Sequence, residues 1–342
     1  MTAAVVTGVG SALPATFDQD AVWDGFFARH YEGVRAARRI FASSGVRRRH
    51  AVASPMDEDI SRWGTGARME RYVQEALPLG KQAVADALDA AGLAPGDVGL
   101  FAVATCTGYA TPGLDIRLAS DLGMPLGLQR LLVGHMGCYA AIPGLAAVGD
   151  FVTARSRPAV LLCCELTSLH VQPAQRDLEQ VVAHALFSDA AAAVVLEPGA
   201  SRGRRLAGIV ARTDASTADH MTWDVTDLGF RMGLSPRVPD VLSHHVGAVV
   251  DELLGAAGLR TEDVAGWAVH PGGPRILDVV RDELGLTEVQ MAASRRVLAE
   301  HGNCSSATVL LVLEEMADVE GPVVVMAFGP GLTLYAALLL PA

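Results

Sequence analysis

Two hydrophobic patterns alternate along this chain. Short, nearly continuous apolar runs suit strands covered on both faces, and stretches with apolar residues every three to four positions suit amphipathic helices. Their alternation predicts α/β layering. Strands are predicted at Val5–Val9, Val98–Ala104, Leu131–Val133, Val160–Cys163, Ala190–Leu196, Leu206–Arg212, Gly266–Val269, Val323–Ala327 and Thr333–Leu340. Helices are predicted at Leu77–Ala91, Tyr139–Ala154, Pro239–Ala257, Arg275–Leu284 and Ser305–Met316. The segment from Val323 to Leu340 has no charged residue and is long enough to be mistaken for a membrane span. Gly329-Pro330-Gly331 in its middle would break a helix, so two buried strands joined by a tight loop are expected.

The order of elements repeats. A helix after Gly137-Cys138 leads to a strand, then to Phe187-Ser188-Asp189 and an apolar strand. A helix after Gly302-Asn303 leads to a strand, then to Phe328-Gly329-Pro330-Gly331 and another apolar strand. This predicts two duplicated halves, residues 1–200 and 201–342, joined through Pro198-Gly199-Ala200-Ser201-Arg202-Gly203.

The 342 residues are 51% hydrophobic and 19% charged, with net charge −11. Such a chain can bury a large core and is not of the disordered class. Its net charge disfavours nucleic-acid binding. Arg29, Arg35, Arg38, Arg39, Arg47, Arg48 and Arg49 nevertheless gather in one stretch with Glu32 as its only acid. That stretch is either a solvated basic face or an anion site. The five cysteines are odd in number and form no CxxC pair, which points to reduced thiols in the cytoplasm rather than disulfides or zinc. Met1–Val6 lacks the basic opening of a secretory leader.

Three residues carry candidate chemistry. Cys138 falls between a predicted strand and a helix start, where the helix dipole favours a thiolate nucleophile. The alternative is a buried structural cysteine. His270 ends a strand in His270-Pro271-Gly272-Gly273-Pro274, a rigid turn suited either to catalysis or to the turn alone. Asn303 sits in Gly302-Asn303-Cys304-Ser305-Ser306-Ala307, as a helix cap whose amide can also face a ligand. Other chemistries are poorly supported. Gly8-Val9-Gly10 lacks a third glycine for a dinucleotide fingerprint and reads as a turn. Lys81 is the only lysine and lies outside any motif, so Schiff-base chemistry is not expected. Adjacent His244 and His245 do not suit one metal.

In this order, Cys138, His270 in His-Pro-Gly-Gly-Pro and Asn303 in Gly-Asn-x-Ser-Ser-Ala resemble the triad of type III polyketide synthases, the chalcone synthase family. Gly329-Pro330-Gly331 and the segment Thr107-Gly108 through Asp115 resemble two of that family's loops. The resemblance spans residues 105 to 333 and looks bacterial in type. It implies a thiolase-like fold with αβαβαββ-type halves in five layers, and a homodimer. It also implies an acyltransferase that loads an acyl-CoA starter on Cys138, extends it with malonyl-CoA and cyclises it to a pyrone- or phenol-type product. No cofactor beyond the coenzyme A thioester substrates is implied, nor a metal, nucleic acid or membrane. Phe187 and Phe230 resemble the gatekeeper phenylalanines. Cys106, Thr107, His170, Met221 and Ser305 fall where the family shapes its cavity, with Met221 at a position that is glycine in plant members. Arg38, Arg39 and Arg275 are implied for coenzyme A, assisted by Arg47–Arg49. The rival readings are a single-condensation ketoacyl synthase III and a non-catalytic thiolase-fold partner.

Overall fold

The computed structural model describes residues 2–175 and 177–342; Met1, where the leader reading begins, lies outside them. Among the described residues thirteen strands occur, in chain order: β1 Ala4–Ala12, β2 Thr16–Asp18, β3 Arg48–His50, β4 Leu100–Thr105, β5 Gln129–Gly134, β6 Ala159–Leu166, β7 Asp189–Pro198, β8 Arg204–Thr213, β9 Met221–Thr226, β10 Gly229–Leu234, β11 Gly266–Val269, β12 Val323–Gly329 and β13 Thr333–Pro341. Nine form one sheet in the order β11-β12-β13-β8-β1-β7-β6-β4-β5, and the short pairs β9–β10 and β2–β3 stand apart.

The duplication is visible in strand direction. β4 runs parallel to β6, β6 antiparallel to β7 and β7 antiparallel to β1. β11 runs parallel to β12, β12 antiparallel to β13 and β13 antiparallel to β8. Among the described residues, the two sets pair where Val5 and Val6 of β1 meet Arg205 and Arg204 of β8. β5, paired with β4 alone, has no counterpart in the second set.

Alternating side chains build the layers, because successive strand residues face opposite sides. Ala102 and Leu161 of one strand set and Val325 and Leu339 of the other pack on the helices Ala141–Arg155 and Thr308–Glu314, which lie between them. Phe101, Val103, Val160 and Leu162 point the other way, onto the helix Thr65–Ala91. Trp267, Val269, Val324 and Met326 point outward onto the helices Val238–Ala256 and Pro274–Glu283. The result is helix, sheet, helix, sheet, helix.

Two readings need correction. The helix expected from Leu77 begins at Thr65 and runs through Pro78. Gly8 and Gly10 lie within strand β1, not in a turn. A Cβ on Gly8 would come 2.1 Å from the carbonyl oxygen of Ala87, so these glycines let the helix backbone press on the strand. The uncharged stretch is the antiparallel pair β12–β13. The helical stretch Gly137–Arg155 is long and apolar enough to cross a membrane, yet it is mostly buried, as the helix at the centre of the layers.

Candidate active site

Strand β5 ends at Gly134, and the chain turns through Gly137–Tyr139 before the central helix starts at Ala141. Cys138 sits in that turn, buried. Gly137 has φ of +75°, and a Cβ there would come 2.7 Å from Cδ of Pro330. A Cβ on Gly329 would come 3.3 Å from the backbone nitrogen of Cys138. The Gly329-Pro330-Gly331 turn is therefore packed directly against the cysteine turn.

His270 follows β11, and its N–H donates to the Met326 carbonyl at 2.8 Å. Its ring packs edge-on against Phe328, with centroids 5.6 Å apart. Both ring nitrogens are buried and without a hydrogen-bond partner. Asn303 is held by its backbone, whose N–H donates to Leu186 at 2.8 Å and whose carbonyl accepts from Ser188 at 3.0 Å. Its Oδ1 accepts from the Ser305 N–H at 2.9 Å. That bond fixes the carboxamide and leaves its NH₂ end for another acceptor.

Cys138, His270 and Asn303, distant in sequence, line one cavity of about 440 Å³. Phe187, Met221, Met232, Phe328 and the exposed Arg275 share its wall. On its other side Cys138 meets a small compartment of about 20 Å³, walled by Cys106, Thr107, Ser305, Pro330 and Trp223 among others. An inner chamber of about 50 Å³ follows, sharing Thr167, Phe187, Trp223 and Met232 with that compartment.

Burial pushes the Cys138 thiol up to about 12; the Ser305 hydroxyl eases this and the Glu165 carboxylate adds to it. Burial pulls His270 down to about 3. Burial in this mostly apolar cavity therefore opposes the thiolate that the helix start favours.

Glu165 organises the floor. It is fully buried and accepts from Ser306 Oγ at 2.5 Å, Thr107 Oγ1 at 2.8 Å and the Cys106 N–H at 3.0 Å. Burial raises its pKa, and these donors oppose the rise. Cys106 Sγ lies 3.3 Å from Ser305 Oγ.

Several expected positions move. Phe230 does not reach the Cys138 cavity; it lines the inner chamber and stacks on His170, with centroids 4.6 Å apart. Met232, its neighbour but one on β10, takes the place beside Phe187. His170 lies behind Thr107: one ring nitrogen is 2.7 Å from the Thr107 carbonyl, and the other accepts from the Phe230 N–H at 3.0 Å. Met221 does line the cavity, but the larger partition is Trp223, whose Nε1 donates to the Cys106 carbonyl at 2.7 Å. Arg38 is engaged by Asp20 at 2.8 Å and Arg39 is exposed; neither lines the cavity. Arg47 and Arg48 pair with Glu300, and Arg49 is buried. Trp223, Met232 and Glu165 were missed. Period-two alternation in Met221-Thr222-Trp223 and Phe230-Arg231-Met232 was the available signal for the first two.

Histidines whose pKa is lowered by burial set an acid limit on stability. Burial lowers His50 and His170 to about 4, and His184 and His270 to about 3. Below pH ~6.5 the unfolded chain binds protons that the folded one refuses, so stability falls on acidification. Each group contributes about 1.4 kcal/mol per pH unit between its two pKa values. His30 and His301 are lowered by burial too, whereas Glu165 and Asp189, raised by burial, act in the opposite sense, two groups against six. Urea midpoints are expected to be level above pH 7 and to drop steeply from pH 6 to 5. A flat profile there would contradict the neutral assignment.

Two family profiles match this chain: the N-terminal domain of chalcone and stilbene synthases over residues 2–200, and their C-terminal domain over residues 210–341. The chain is 39% identical over 308 residues to a 1,3,6,8-tetrahydroxynaphthalene synthase of Streptomyces peucetius subsp. caesius, covering 86% of this chain and 80% of that protein. It is 32% identical to a 3,5-dihydroxyphenylacetyl-CoA synthase of Streptomyces toyocaensis, over 97% of this chain and 89% of that one. The crystal structure of PKS-I from the brown alga Ectocarpus siliculosus superposes with a TM-score of 0.94 at 26% identity, covering 100% of this chain and 99% of that one.

Proposed function

Since this chain belongs to the chalcone and stilbene synthases and is a type III polyketide synthase, we propose that Cys138 carries the growing chain while His270 and Asn303 handle the malonyl unit. The observation that carries this reading is the convergence of a thiol, an imidazole and a carboxamide on one mostly apolar cavity.

Residue chemistry supports each role. As the Cys138 sulfur attacks the acyl-CoA carbonyl, its proton passes to the neutral imidazole of His270, and coenzyme A leaves. The thioester then waits in a mostly apolar pocket. Malonyl-CoA loses carbon dioxide, and its C–C bonding pair becomes an enolate whose oxygen is negative. His270 N–H and the Asn303 NH₂ donate to that oxygen. Each such donor is worth about 3–4 kcal/mol when pre-positioned. The enolate carbon attacks the Cys138 thioester; the C–S bond to Cys138 breaks, the sulfur is released, and the chain, longer by two carbons, is carried by the coenzyme A of the malonyl unit until thioester exchange returns it to Cys138. Repetition and ring closure give a pyrone or phenol.

The test is incubation with malonyl-CoA and a panel of acyl-CoAs, with products read by mass. Products carrying several malonyl-derived units per starter are expected. A single condensation with linear release would overturn the iterative reading.

Trp223 limits chain growth in this scheme, because it closes both the small compartment and the inner chamber. Trp223→Ala should join the two spaces and yield products with at least one more extension, or acceptance of a longer starter. An unchanged product profile would remove Trp223 from size control.

The active form is proposed as a homodimer built on the β5 edge. That strand has an unpaired side, and Tyr109, Ile116, Leu126, Leu131 and Leu132 are exposed in or near it. Exposed edges with apolar side chains invite pairing. Light scattering should give twice the chain mass, and Leu132→Glu should shift it toward one. A monomeric wild type would sink the proposal. All five cysteines are free thiols, in keeping with work in a reducing cytoplasm.

A further inference from the structure

Arg49 lies on β3 beside the inner chamber, with only 7% of its surface exposed. Its Nε donates to Gln19 Oε1 at 2.9 Å, and its guanidinium stands 5.9 Å from the Phe41 ring centroid. Nη2 is buried and has no partner. Asp189 is near enough to favour the charge, but its oxygens already accept from the Val52 N–H at 2.9 Å, Ser168 N–H at 2.8 Å, Ser168 Oγ at 2.5 Å and Thr167 Oγ1 at 3.1 Å. Burial lowers the Arg49 pKa only to about 10, so it stays charged at neutral pH. A buried cation with an idle donor is costly unless something accepts from it.

The chamber offers no acceptor of its own charge type: among its described lining residues there is no Asp or Glu. Much of the wall is apolar, including Phe17, Val22, Phe27 and Phe230. Its space exceeds that needed for one water. Trp223 and Met232 each face both the chamber and the compartment at Cys138, so the partition there is one side chain thick. Met232 is unbranched and yields readily to an inserted chain.

We propose that the inner chamber receives the far-end carboxylate of an acyl chain held on Cys138, with Arg49 Nη2 as its donor. The implied starter class is an ω-carboxyacyl-CoA: methylenes pass the Trp223–Met232 partition and the carboxylate meets the guanidinium. Arginine suits this because its planar donors match a carboxylate. The proposal rests on Cys138 being the acyl-carrying thiol.

The experiment measures acyl-enzyme formation by intact mass. Succinyl-, glutaryl- and adipyl-CoA are each paired with the neutral acyl-CoA of equal carbon number. In wild type the anionic-to-neutral rate ratio should peak at one chain length, the one that spans from Cys138 to Arg49. A charge-assisted hydrogen bond implies that this ratio falls about 10–100-fold in Arg49→Met. Arg49→Lys should recover part of it, because it keeps charge without the planar fork. An unchanged ratio in Arg49→Met, or a wild type favouring the neutral partner at every length, overturns the proposal. Should Arg49→Met fail to fold, the wild-type length series decides alone. A free ion is the other source of this chemistry, so crystals soaked in bromide form a second arm. Bromide density at Arg49 without starter selectivity assigns the chamber to an ion and overturns the acyl proposal. Failure of the neutral acyl-CoAs to label Cys138 would instead reject the nucleophile reading, so the two failures are distinguishable.

Discussion

Cys138→Ala is expected to gain no acyl mass from any acyl-CoA and to lose polyketide synthesis by about 10⁴–10⁶-fold, the scale for removing a covalent nucleophile. The sulfur is the only atom in the scheme that breaks the starter's thioester. Alanine keeps the turn: Gly137, Pro330 and Gly329 pack closely around the Cys138 backbone, and the side chain meets only a neutral hydroxyl, that of Ser305. Stability should therefore change by only about 1 kcal/mol, and an intact melting profile makes the loss chemical. Cys106 is the necessary control. It lines the small compartment with Cys138, but burial and Glu165 raise its thiol well above the ordinary range. Cys106→Ala should still take up the acyl group. Labelling that persists in Cys138→Ala and vanishes in Cys106→Ala would transfer the nucleophile to Cys106.

Asn303→Asp should slow malonyl-CoA decarboxylation by about 10²–10³, the effect of losing one oxyanion donor. The replacement is nearly isosteric. One carboxylate oxygen still accepts from the Ser305 N–H, as Oδ1 does now at 2.9 Å, so the loop keeps its cap. What is lost is the NH₂ assigned to the enolate. An ionised aspartate would add repulsion, whereas its protonated form would donate again. The deficit should therefore widen as pH rises through the pKa of the new aspartate, a slope that a purely structural role would not produce. Starter loading on Cys138, which develops no enolate, should fall far less. Equal losses in loading and decarboxylation would assign Asn303 to architecture rather than to charge stabilisation.

Burial raises the Cys138 thiol and lowers the His270 imidazole, so in the proposed scheme the sulfur gains nucleophilicity as it hands its proton to the imidazole.

Sequence alone determined the layering, because strand and helix periodicities are local and survive in any window of a dozen residues. All nine strands expected from apolar runs fall within the nine-stranded sheet, and the broken apolar stretch near the C-terminus is the β12–β13 pair. The Cys-His-Asn set was legible for a similar reason: each residue lies in a short glycine- or proline-marked turn that any reading of neighbours detects. The tertiary structure alone decided what surrounds that set. Trp223 and Met232 stand at the partition because they oppose each other in the β9–β10 hairpin, and only the placement of that hairpin decides which point along its face meets the cavity. Arg49 turns inward while Arg47 and Arg48 stay at the surface, because successive residues of β3 point to opposite sides and Arg47 precedes the strand. Protonation followed burial, which is the sum of contacts from distant segments. Periodicity reports neighbours along the chain, whereas cavities, partitions and desolvation arise between segments far apart in it.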